Sequence, residues 1–397
     1  MKKENGVIYH YGYYRRAGRL RLAGYVVLLL LVVFVLVTFF AFREDLTADH
    51  FRYLLRNFEL GPHSAASSGD TIYYDGDRDS RFGFVAGGFA CLTDTRVFVT
   101  DGLSVTTLSD YHGFSSPYAL SSEKYMLVYD RAGSSLSLYN AFDRLKSFTF
   151  EGTIVAAALS DKGSFAAAVS GKESYYSTVY VYDKNGALLN KLSKYKYVTS
   201  LALSPDGDRL AVASVYTGDR GILTSEILLL EVGKTEPSAL HIVEGSGVCS
   251  LAFLADGGFA ALFDDRVLFY DSKGKETGSV LFDATPTHAC LLPAGALLVY
   301  PSSDTRYELA DCYDQNGKAL YQGVALGGRF RGAAGDDAAF YLLTDRKVFR
   351  LSADGEEALS VEADGEGKSL LTDNRVLYLA GPSSAVPVFF EKAQKEN

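Results

Sequence analysis

Three aspartates spaced two residues apart could bind a calcium ion. Asp75, Asp77 and Asp79 stand at the first, third and fifth positions of a loop, the spacing at which calcium loops place their carboxylates. Such a loop also needs a glycine at the sixth position and an acid at the twelfth. The chain has Ser80 and Ala86 there, so the sequence favours an Asp-rich turn and leaves calcium binding as the alternative.

No other motif predicts a catalytic, cofactor-binding or metal site. No two of the six histidines have the spacing of zinc ligands, and the chain has no nucleophile elbow or phosphate-binding glycine loop. Its four cysteines are Cys91, Cys249, Cys290 and Cys312. Cysteine pairs need Cα atoms within about 7 Å to form a disulfide, and the strand assignment below separates these cysteines. We therefore expect small buried thiols.

Tyrosine is abundant, with 27 copies, and tryptophan is absent. Several tyrosines fall at predicted turns in the first half of the repeat region: Tyr111, Tyr118, Tyr175, Tyr176, Tyr195, Tyr197 and Tyr216. Rigid amphipathic rings are suited to binding sugars or peptides. The alternative is that tyrosine replaces tryptophan and phenylalanine in half-buried strands.

The chain from residue 71 onward repeats two turn motifs. One follows an aromatic strand, as Tyr-Asp-x-x-Gly at 182–186, 270–274 and 313–317, with a reduced copy at 353–355. The other reads Leu-Ala-Leu-Ser-Pro-Asp-Gly at 201–207 and has related copies at 157–163 and 251–257. Aspartate and glycine suit tight turns that need a positive φ. The repeat length of about 40–45 residues, with four short apolar strands in each unit, is typical of β-propeller blades.

The strand pattern predicts eight blades, with seven as the fallback. Four-strand units begin near Phe84, Tyr118, Ile154, Val198, Val248, His288 and Phe330. A remainder from residue 369 to 390 supplies only three strands, and Thr71–Asp75 offers the missing fourth. An N-terminal strand that completes the last blade would close the ring and remove exposed sheet edges.

The first 42 residues predict a membrane anchor. Leu22–Phe42 contains no charged residue, and 21 helical residues match a bilayer core of about 30 Å. Six basic side chains and one acid precede it, which places the N-terminus in the cytoplasm. The predicted segments are a cytoplasmic tail (1–21), a transmembrane helix (22–42), a juxtamembrane amphipathic helix (43–60), a linker (61–70), an extracytoplasmic β-propeller (71–391) and a C-terminal tail (392–397).

The turn motifs at 201–207 and at 182–186 resemble those of WD40-like and quinoprotein-like repeats. The whole layout is similar to a family of unknown function from Gram-positive anaerobes, whose single-span members carry an extracytoplasmic propeller. This resemblance implies a fold and a location in the bacterial cell membrane, but it implies no activity. The chain lacks the tryptophans of both repeat types, so their ligands are not carried over.

The sequence therefore predicts a non-enzymatic, membrane-tethered binding or scaffold module of the cell envelope. Its expected contacts are membrane lipid through residues 22–42 and an envelope protein or glycan at one face of the propeller. The net charge of −9 argues against nucleic acid. The alternative function is an envelope hydrolase or lyase with a carboxylate site at the mouth of the propeller channel.

Overall fold

The computed structural model describes residues 22–34, 69–77, 79–171, 175–303, 307–363, 366–373 and 376–390. The chain divides into two units, Met1–Glu59 and Leu60–Asn397. In the first unit, residues 22–34 form a helix. None of the helices in the described residues combines the length and the apolar character that crossing a bilayer requires. Residues 35–42 of the expected span lie outside the described residues, as do the tail 1–21, the expected amphipathic helix 43–60, most of the linker and the segment 392–397.

Within the described residues, the second unit contains 32 strands and one short 3-10 helix, Asp219–Gly221. The strands of the first half are β1 (Ile72–Tyr73), β2 (Arg81–Val85), β3 (Gly88–Leu92), β4 (Arg96–Thr100), β5 (Thr106–Tyr111), β6 (Pro117–Ser121), β7 (Met126–Asp130), β8 (Ser135–Tyr139), β9 (Arg144–Thr149), β10 (Ile154–Leu159), β11 (Phe165–Ser170), β12 (Ser177–Tyr182), β13 (Leu188–Lys194), β14 (Tyr197–Leu203), β15 (Arg209–Thr217) and β16 (Leu223–Glu231). Those of the second half are β17 (Pro237–Glu244), β18 (Val248–Phe253), β19 (Phe259–Phe263), β20 (Arg266–Tyr270), β21 (Glu276–Leu281), β22 (His288–Leu292), β23 (Gly295–Pro301), β24 (Glu308–Tyr313), β25 (Ala319–Ala325), β26 (Phe330–Gly335), β27 (Ala339–Thr344), β28 (Lys347–Ser352), β29 (Ala358–Glu362), β30 (Ser369–Asp373), β31 (Val376–Ala380) and β32 (Ser384–Val388).

These strands form eight antiparallel four-stranded sheets, which confirms the predicted all-β propeller with eight blades. Blades 1 to 7 each contain four consecutive strands, beginning with β2, β6, β10, β14, β18, β22 and β26. Blade 8 has the order β30, β31, β32, β1 from its inner to its outer strand. Ile72 pairs with Ala385 and Tyr73 with Ser384, so the N-terminal strand completes the last blade as the sequence predicts. The first strands of neighbouring blades contact one another around the whole ring, including β30 with β2.

The position of a strand within its blade determines its burial pattern. Second strands are mostly apolar, and in β3 and β27 every residue is buried. They are packed by blades on both faces, so both sets of side chains must be apolar. Outer strands alternate instead between exposed and half-buried residues, as in β17 and β29. This difference explains why some strands read as continuous apolar runs and others as alternating ones.

The Tyr-Asp-x-x-Gly motif forms the turn between the third and fourth strands of a blade. In blade 5, Asp271 Oδ1 accepts hydrogen bonds from the backbone N–H groups of Lys273 and Lys275, at 2.9 and 2.8 Å. Gly274 adopts a φ of +84°, a conformation that costs little only for glycine. Asp183 and Asp314 make the same pair of bonds in blades 3 and 6. The repeated residues are therefore those that hold the turn.

The four cysteines are free. Cys290 and Cys312 pair with the same residue, Leu297, from opposite sides of β23, so a whole strand separates them. The expectation that all four are buried is confirmed for Cys91 and Cys312, but Cys290 is only partly buried and Cys249 is exposed. Cys249 is the extra residue of a bulge between Val248 and Ser250, and a bulge turns its side chain out of the regular alternation.

Candidate functional site

The two ends of the ring carry different connections. The inner strands begin at one end, which also holds the connections between blades and those between second and third strands. We call this end the loop face and the opposite end, which carries the Asp-Gly turns, the turn face. Blade 4 has the longest strands, with nine residues in β15 and in β16 and eight in β17. Its β15–β16 connection contains the 3-10 helix Asp219–Gly221 on the loop face.

Four exposed tyrosines lie together on the loop face of blades 3 and 4. The rings of Tyr175 and Tyr195 have centroids 4.7 Å apart. Those of Tyr176 and Tyr197 are stacked at 4.8 Å with an interplanar angle of 3°. All four side chains are exposed to solvent. We call these four residues the tyrosine surface.

Short connections and backbone hydrogen bonds position the tyrosine surface. Only Tyr195 and Lys196 separate β13 from β14, so Tyr197 begins the inner strand of blade 4 directly after the outer strand of blade 3. Tyr176 N–H donates to the Lys194 carbonyl at 2.9 Å. At Gly171, a side chain would place its Cβ 1.6 Å from the Tyr175 carbonyl oxygen. Glycine is therefore required at position 171, where the Tyr175 backbone approaches.

A buried carboxylate with two lysines lies beside the tyrosine surface. Glu226 of β16 has a side chain that is 9% exposed, and its Oε1 accepts a hydrogen bond from Lys194 Nζ at 2.8 Å. Lys196 Nζ contacts the other carboxylate oxygen and lies 4.2 Å from the centre of the Tyr216 ring, a cation–π arrangement. Two ammonium groups thus share one carboxylate. We call these three charged residues the lysine–glutamate cluster.

The cluster shifts the pKa values of its members. Burial acts to raise the pKa of Glu226, but the hydrogen bonds from Lys194 and Lys196 outweigh it, so this pKa is lowered. Burial lowers the pKa of Lys194 despite its bond to Glu226. Both shifts fall in the same direction because the single carboxylate is stabilised by two cations, whereas each cation receives only a share of one carboxylate.

The other three tyrosines of the predicted set lie outside the tyrosine surface. Tyr216 contacts Lys196 of the lysine–glutamate cluster, whereas Tyr111 is exposed at the end of β5 in blade 1. Tyr118 of β6 is half-buried beneath the guanidinium groups of Arg81 and Arg131, which lie 4.3 and 4.8 Å from its ring centre. The structure therefore gathers five of the seven predicted tyrosines and separates two.

The Asp-rich segment before β2 uses its carboxylates within the protein. Asp77 Oδ1 accepts hydrogen bonds from Ser80 Oγ at 2.7 Å and from Asp79 N–H at 3.1 Å. Asp75 pairs with Arg96 at 2.8 Å. Across the described residues, no three histidine, cysteine or acidic side chains come together in a way that could hold a metal ion. The geometry is that of the Asp-rich turn.

The described histidines serve local packing. His112 Nε2 contacts the Thr93 carbonyl at 3.0 Å, and its ring stacks on Phe114. His241 Nε2 lies 2.6 Å from the Gly274 carbonyl oxygen, and exposed His288 contacts the Phe330 ring. His10, His50 and His63 lie outside the described residues.

The sequence reasoning missed the lysine–glutamate cluster. Two features of the sequence point to it. Lysine and tyrosine alternate from Lys194 to Tyr197, and Glu226 directly precedes the apolar run of residues 227–230. A carboxylate in a strand that packs against two blades requires a cation. The candidate lysines lie about 30 residues away in sequence, so only the fold identifies the pairing.

Comparisons with known proteins give a family and a fold. The model of a family of unknown function, DUF5711, matches residues 78–380. No curated protein matches the chain. The crystal structure of BamB from Moraxella catarrhalis is similar with a TM-score of 0.52 and 14% identity, covering 80% of this chain and 98% of that chain. A chain in the crystal structure of the mitotic checkpoint complex is similar with a TM-score of 0.48 and 13% identity, covering 69% of this chain and 87% of that chain. At these identities the likeness concerns the fold alone.

Proposed function

The chain belongs to the DUF5711 family of unknown function, and we propose that this protein is a non-enzymatic binding module tethered to the outer side of a bacterial cell membrane. Its partner is a protein or glycan of the cell envelope, which contacts the tyrosine surface. The observation that carries the proposal is the group of four exposed tyrosines in two contacting pairs beside the lysine–glutamate cluster.

The arrangement of the rings supports binding. Tyrosine offers a large apolar area and a hydroxyl group with few rotatable bonds, so little side-chain entropy is lost when a partner binds. Contact within each pair, and the short β13–β14 connection, already restrict these side chains. Such preorganisation lowers the entropic cost of association.

The sequence supports the tether. Leu22–Phe42 is uncharged and follows a basic segment, as expected for an anchor with a cytoplasmic N-terminus. Confinement near a membrane raises the effective concentration of a partner in the same layer.

Crosslinking on intact cells tests this proposal. A membrane-impermeant crosslinker is applied to wall-stripped cells that express the full chain, and captured proteins and glycans are identified by mass spectrometry. We expect the double variant Tyr195→Ala/Tyr197→Ala to lose the captured partner at least tenfold. The matched control is Tyr111→Ala, which removes an equally exposed tyrosine from blade 1 and should retain the partner.

Two results would contradict the proposal. If the protein reacts with the crosslinker only after lysis, the location is wrong. If the double variant captures the partner as well as the control does, the surface is wrong. Turnover of a wall glycan by the purified protein, abolished by the loss of one carboxylate, would instead establish the hydrolase or lyase alternative.

A further inference from the structure

Two arginines lie against one tyrosine ring on the loop face, at the boundary between blades 1 and 2. The guanidinium carbons of Arg81 and Arg131 lie 4.3 and 4.8 Å from the centre of the Tyr118 ring. Arg81 begins the inner strand of blade 1, whereas Arg131 follows β7 in the connection to β8 of blade 2. A cation–π contact favours each arginine singly, but two positive charges on one ring also repel each other.

Neither guanidinium group has a partner of opposite charge. Both arginines are exposed, and within the described part of the chain neither forms an ion pair or donates a side-chain hydrogen bond. Asp130, which directly precedes Arg131, instead accepts a hydrogen bond from the Ser116 N–H at 2.7 Å. The other described arginines that lie over aromatic rings each donate a hydrogen bond from the guanidinium group: Arg96, Arg144, Arg209 and Arg346. Two like charges are therefore held together here without a counter-charge.

The backbone that carries the two arginines is fixed by a hydrogen bond and by the close approach of two inner strands. Arg131 N–H donates to the Ser116 carbonyl at 2.8 Å, which joins its connection to the segment that leads into β6. Ala132, the next residue, adopts a φ of +64°, a conformation that residues other than glycine rarely adopt. At Gly83, a side chain would place its Cβ 2.1 Å from Ser121 Oγ, so glycine permits β2 and β6 to lie this close. Both arginines are thus presented before a ligand binds, which lowers the entropic cost of binding.

A buried tyrosine adds a third unpaired donor. Tyr129 pairs with Tyr118 across β6 and β7, and their ring centroids lie 5.5 Å apart. Tyr129 is only 7% exposed, and among the described residues its hydroxyl finds no hydrogen-bond partner, although buried polar groups normally have one. Burial raises the pKa of Tyr129, whereas the charges of Arg131 and Arg81 act to lower it. Both positive charges therefore act on this hydroxyl.

A phosphate monoester is the anion that matches these donors. Guanidinium groups form paired hydrogen bonds with the oxygens of carboxylates and phosphates. One arginine satisfies both oxygens of a carboxylate, whereas a phosphate monoester offers three oxygens and carries a charge of about −1.5 to −2 at pH 7. Two guanidinium groups and a hydroxyl therefore suit the monoester better than a singly charged carboxylate or phosphodiester. The net charge of the chain is −9, so binding of such an anion depends on local positive charge.

We propose that Arg81, Arg131 and Tyr129 bind a phosphate monoester group on the loop face of blades 1 and 2, with Tyr118 as the ring that holds both guanidinium groups. The phosphate oxygens accept hydrogen bonds from both arginines, and the charge of the anion offsets the repulsion between them. The tyrosine surface lies on blades 3 and 4, so this site is separate from it and goes beyond the proposed function.

Calorimetric titration of the full chain in detergent, in a buffer free of phosphate, tests the proposal. Inorganic phosphate and glycerol 3-phosphate are the probes, and both should bind. We expect Arg81→Gln and Arg131→Gln each to weaken binding about tenfold, because each variant removes charged donors, and Tyr129→Phe to weaken it about threefold. The matched control is Arg220→Gln, which removes an exposed arginine elsewhere on the loop face and should bind both probes as the native chain does.

Two further probes identify the class of anion. Glycerophosphoglycerol, the headgroup of phosphatidylglycerol, is a diester with one negative charge, and acetate is a carboxylate. Both should bind about tenfold more weakly than glycerol 3-phosphate, because each carries less charge to share between two guanidinium groups. If the diester binds as tightly as glycerol 3-phosphate, the site takes a lipid headgroup or another phosphodiester and the monoester assignment is wrong. Equal binding of acetate would likewise overturn the assignment to phosphate.

The variants also separate this inference from the proposed function. A native chain that binds neither phosphate probe would overturn the inference. Binding that survives in both arginine variants, or that is lost equally in Arg220→Gln, would do the same, since charge would then act without a defined site. Tyr195→Ala/Tyr197→Ala should bind phosphate normally, although it loses the partner in cells. The two proposals therefore fail separately.

Discussion

A single buried carboxylate organises the charged part of the candidate site. Glu226 lies in the strand of blade 4 next to the outermost one, where burial would make an unpaired charge costly. Lys194 and Lys196 reach it from the segment that also supplies Tyr195 and Tyr197. The ion pairs therefore fix the backbone from which the exposed rings project. A buried ion pair adds little net stability, but the loss of one partner leaves an uncompensated charge.

Replacement of Glu226 tests this role. At neutral pH we expect Glu226→Gln to lower the free energy of unfolding by about 3 kcal/mol, because two partly buried ammonium groups lose their counter-charge. The pKa of Glu226 is lowered in the folded state. Its contribution is therefore present above the unfolded pKa of about 4.3 and is lost as the pH falls through the folded pKa. The difference between the native chain and the variant in urea unfolding should consequently shrink from pH 7 to pH 3.

The matched control is Glu231→Gln on the same strand. Glu231 pairs with Lys234, and both side chains are largely exposed, so this pair contributes about 0–1 kcal/mol. If Glu226→Gln is no more destabilising than Glu231→Gln at pH 7, the cluster does not organise this region.

At the scale of elements, the repeated turns connect neighbouring blades as well as neighbouring strands. The turn that follows β20 in blade 5 packs on β17 of blade 4, where the His241 ring meets the Gly274 carbonyl. A side chain at Gly274 would place its Cβ 2.5 Å from the Ala239 Cβ. The glycine of this motif thus permits a positive φ and also a close approach between blades.

Two alanine variants separate those two requirements. Gly233 occupies the corresponding turn of blade 4 with a φ of +89° and has open space around it, whereas Gly274 has a φ of +84° and meets Ala239. Alanine costs about 1–2 kcal/mol in either left-handed conformation. We expect Gly274→Ala to cost about 1–3 kcal/mol more, from crowding between blades, as measured by urea unfolding. If Gly233→Ala and Gly274→Ala lower the free energy of unfolding equally, β17 moves aside without cost.

At the scale of the whole ring, closure depends on two residues from the beginning of the propeller. β1 contributes only Ile72 and Tyr73 to blade 8. Ile72 is fully buried in a cluster that joins blades 8 and 1, with Tyr378, Ala385 and Phe89 among its members. The N-terminal strand therefore links the two ends of the chain by packing more than by strand length.

Truncation of Ile72 tests closure. We expect Ile72→Ala to lower the free energy of unfolding by about 2–5 kcal/mol, the range for a buried isoleucine that leaves a cavity. Tyr73→Ala changes the neighbouring residue, whose side chain is 67% exposed, and should cost far less. Urea unfolding of the two variants measures the difference. Equal stabilities would show that the ring holds without its N-terminal strand.

The sequence by itself determined the propeller, because the features that encode it are local. Asp271 and Gly274 act within one turn. The mostly apolar β27 and the alternating β29 show their places in a blade through their own residue patterns. The completion of blade 8 by β1 also followed, since a three-stranded remainder requires a fourth strand.

Only the tertiary structure decided which polar and aromatic residues meet. Glu226 pairs with Lys194 and Lys196, and the Tyr175 ring contacts that of Tyr195. Nothing in the sequence pattern indicates that these segments contact one another. Such pairings depend on the register between blades, and the exposure of Cys249 depends on a single inserted residue, which the period of a strand does not reveal.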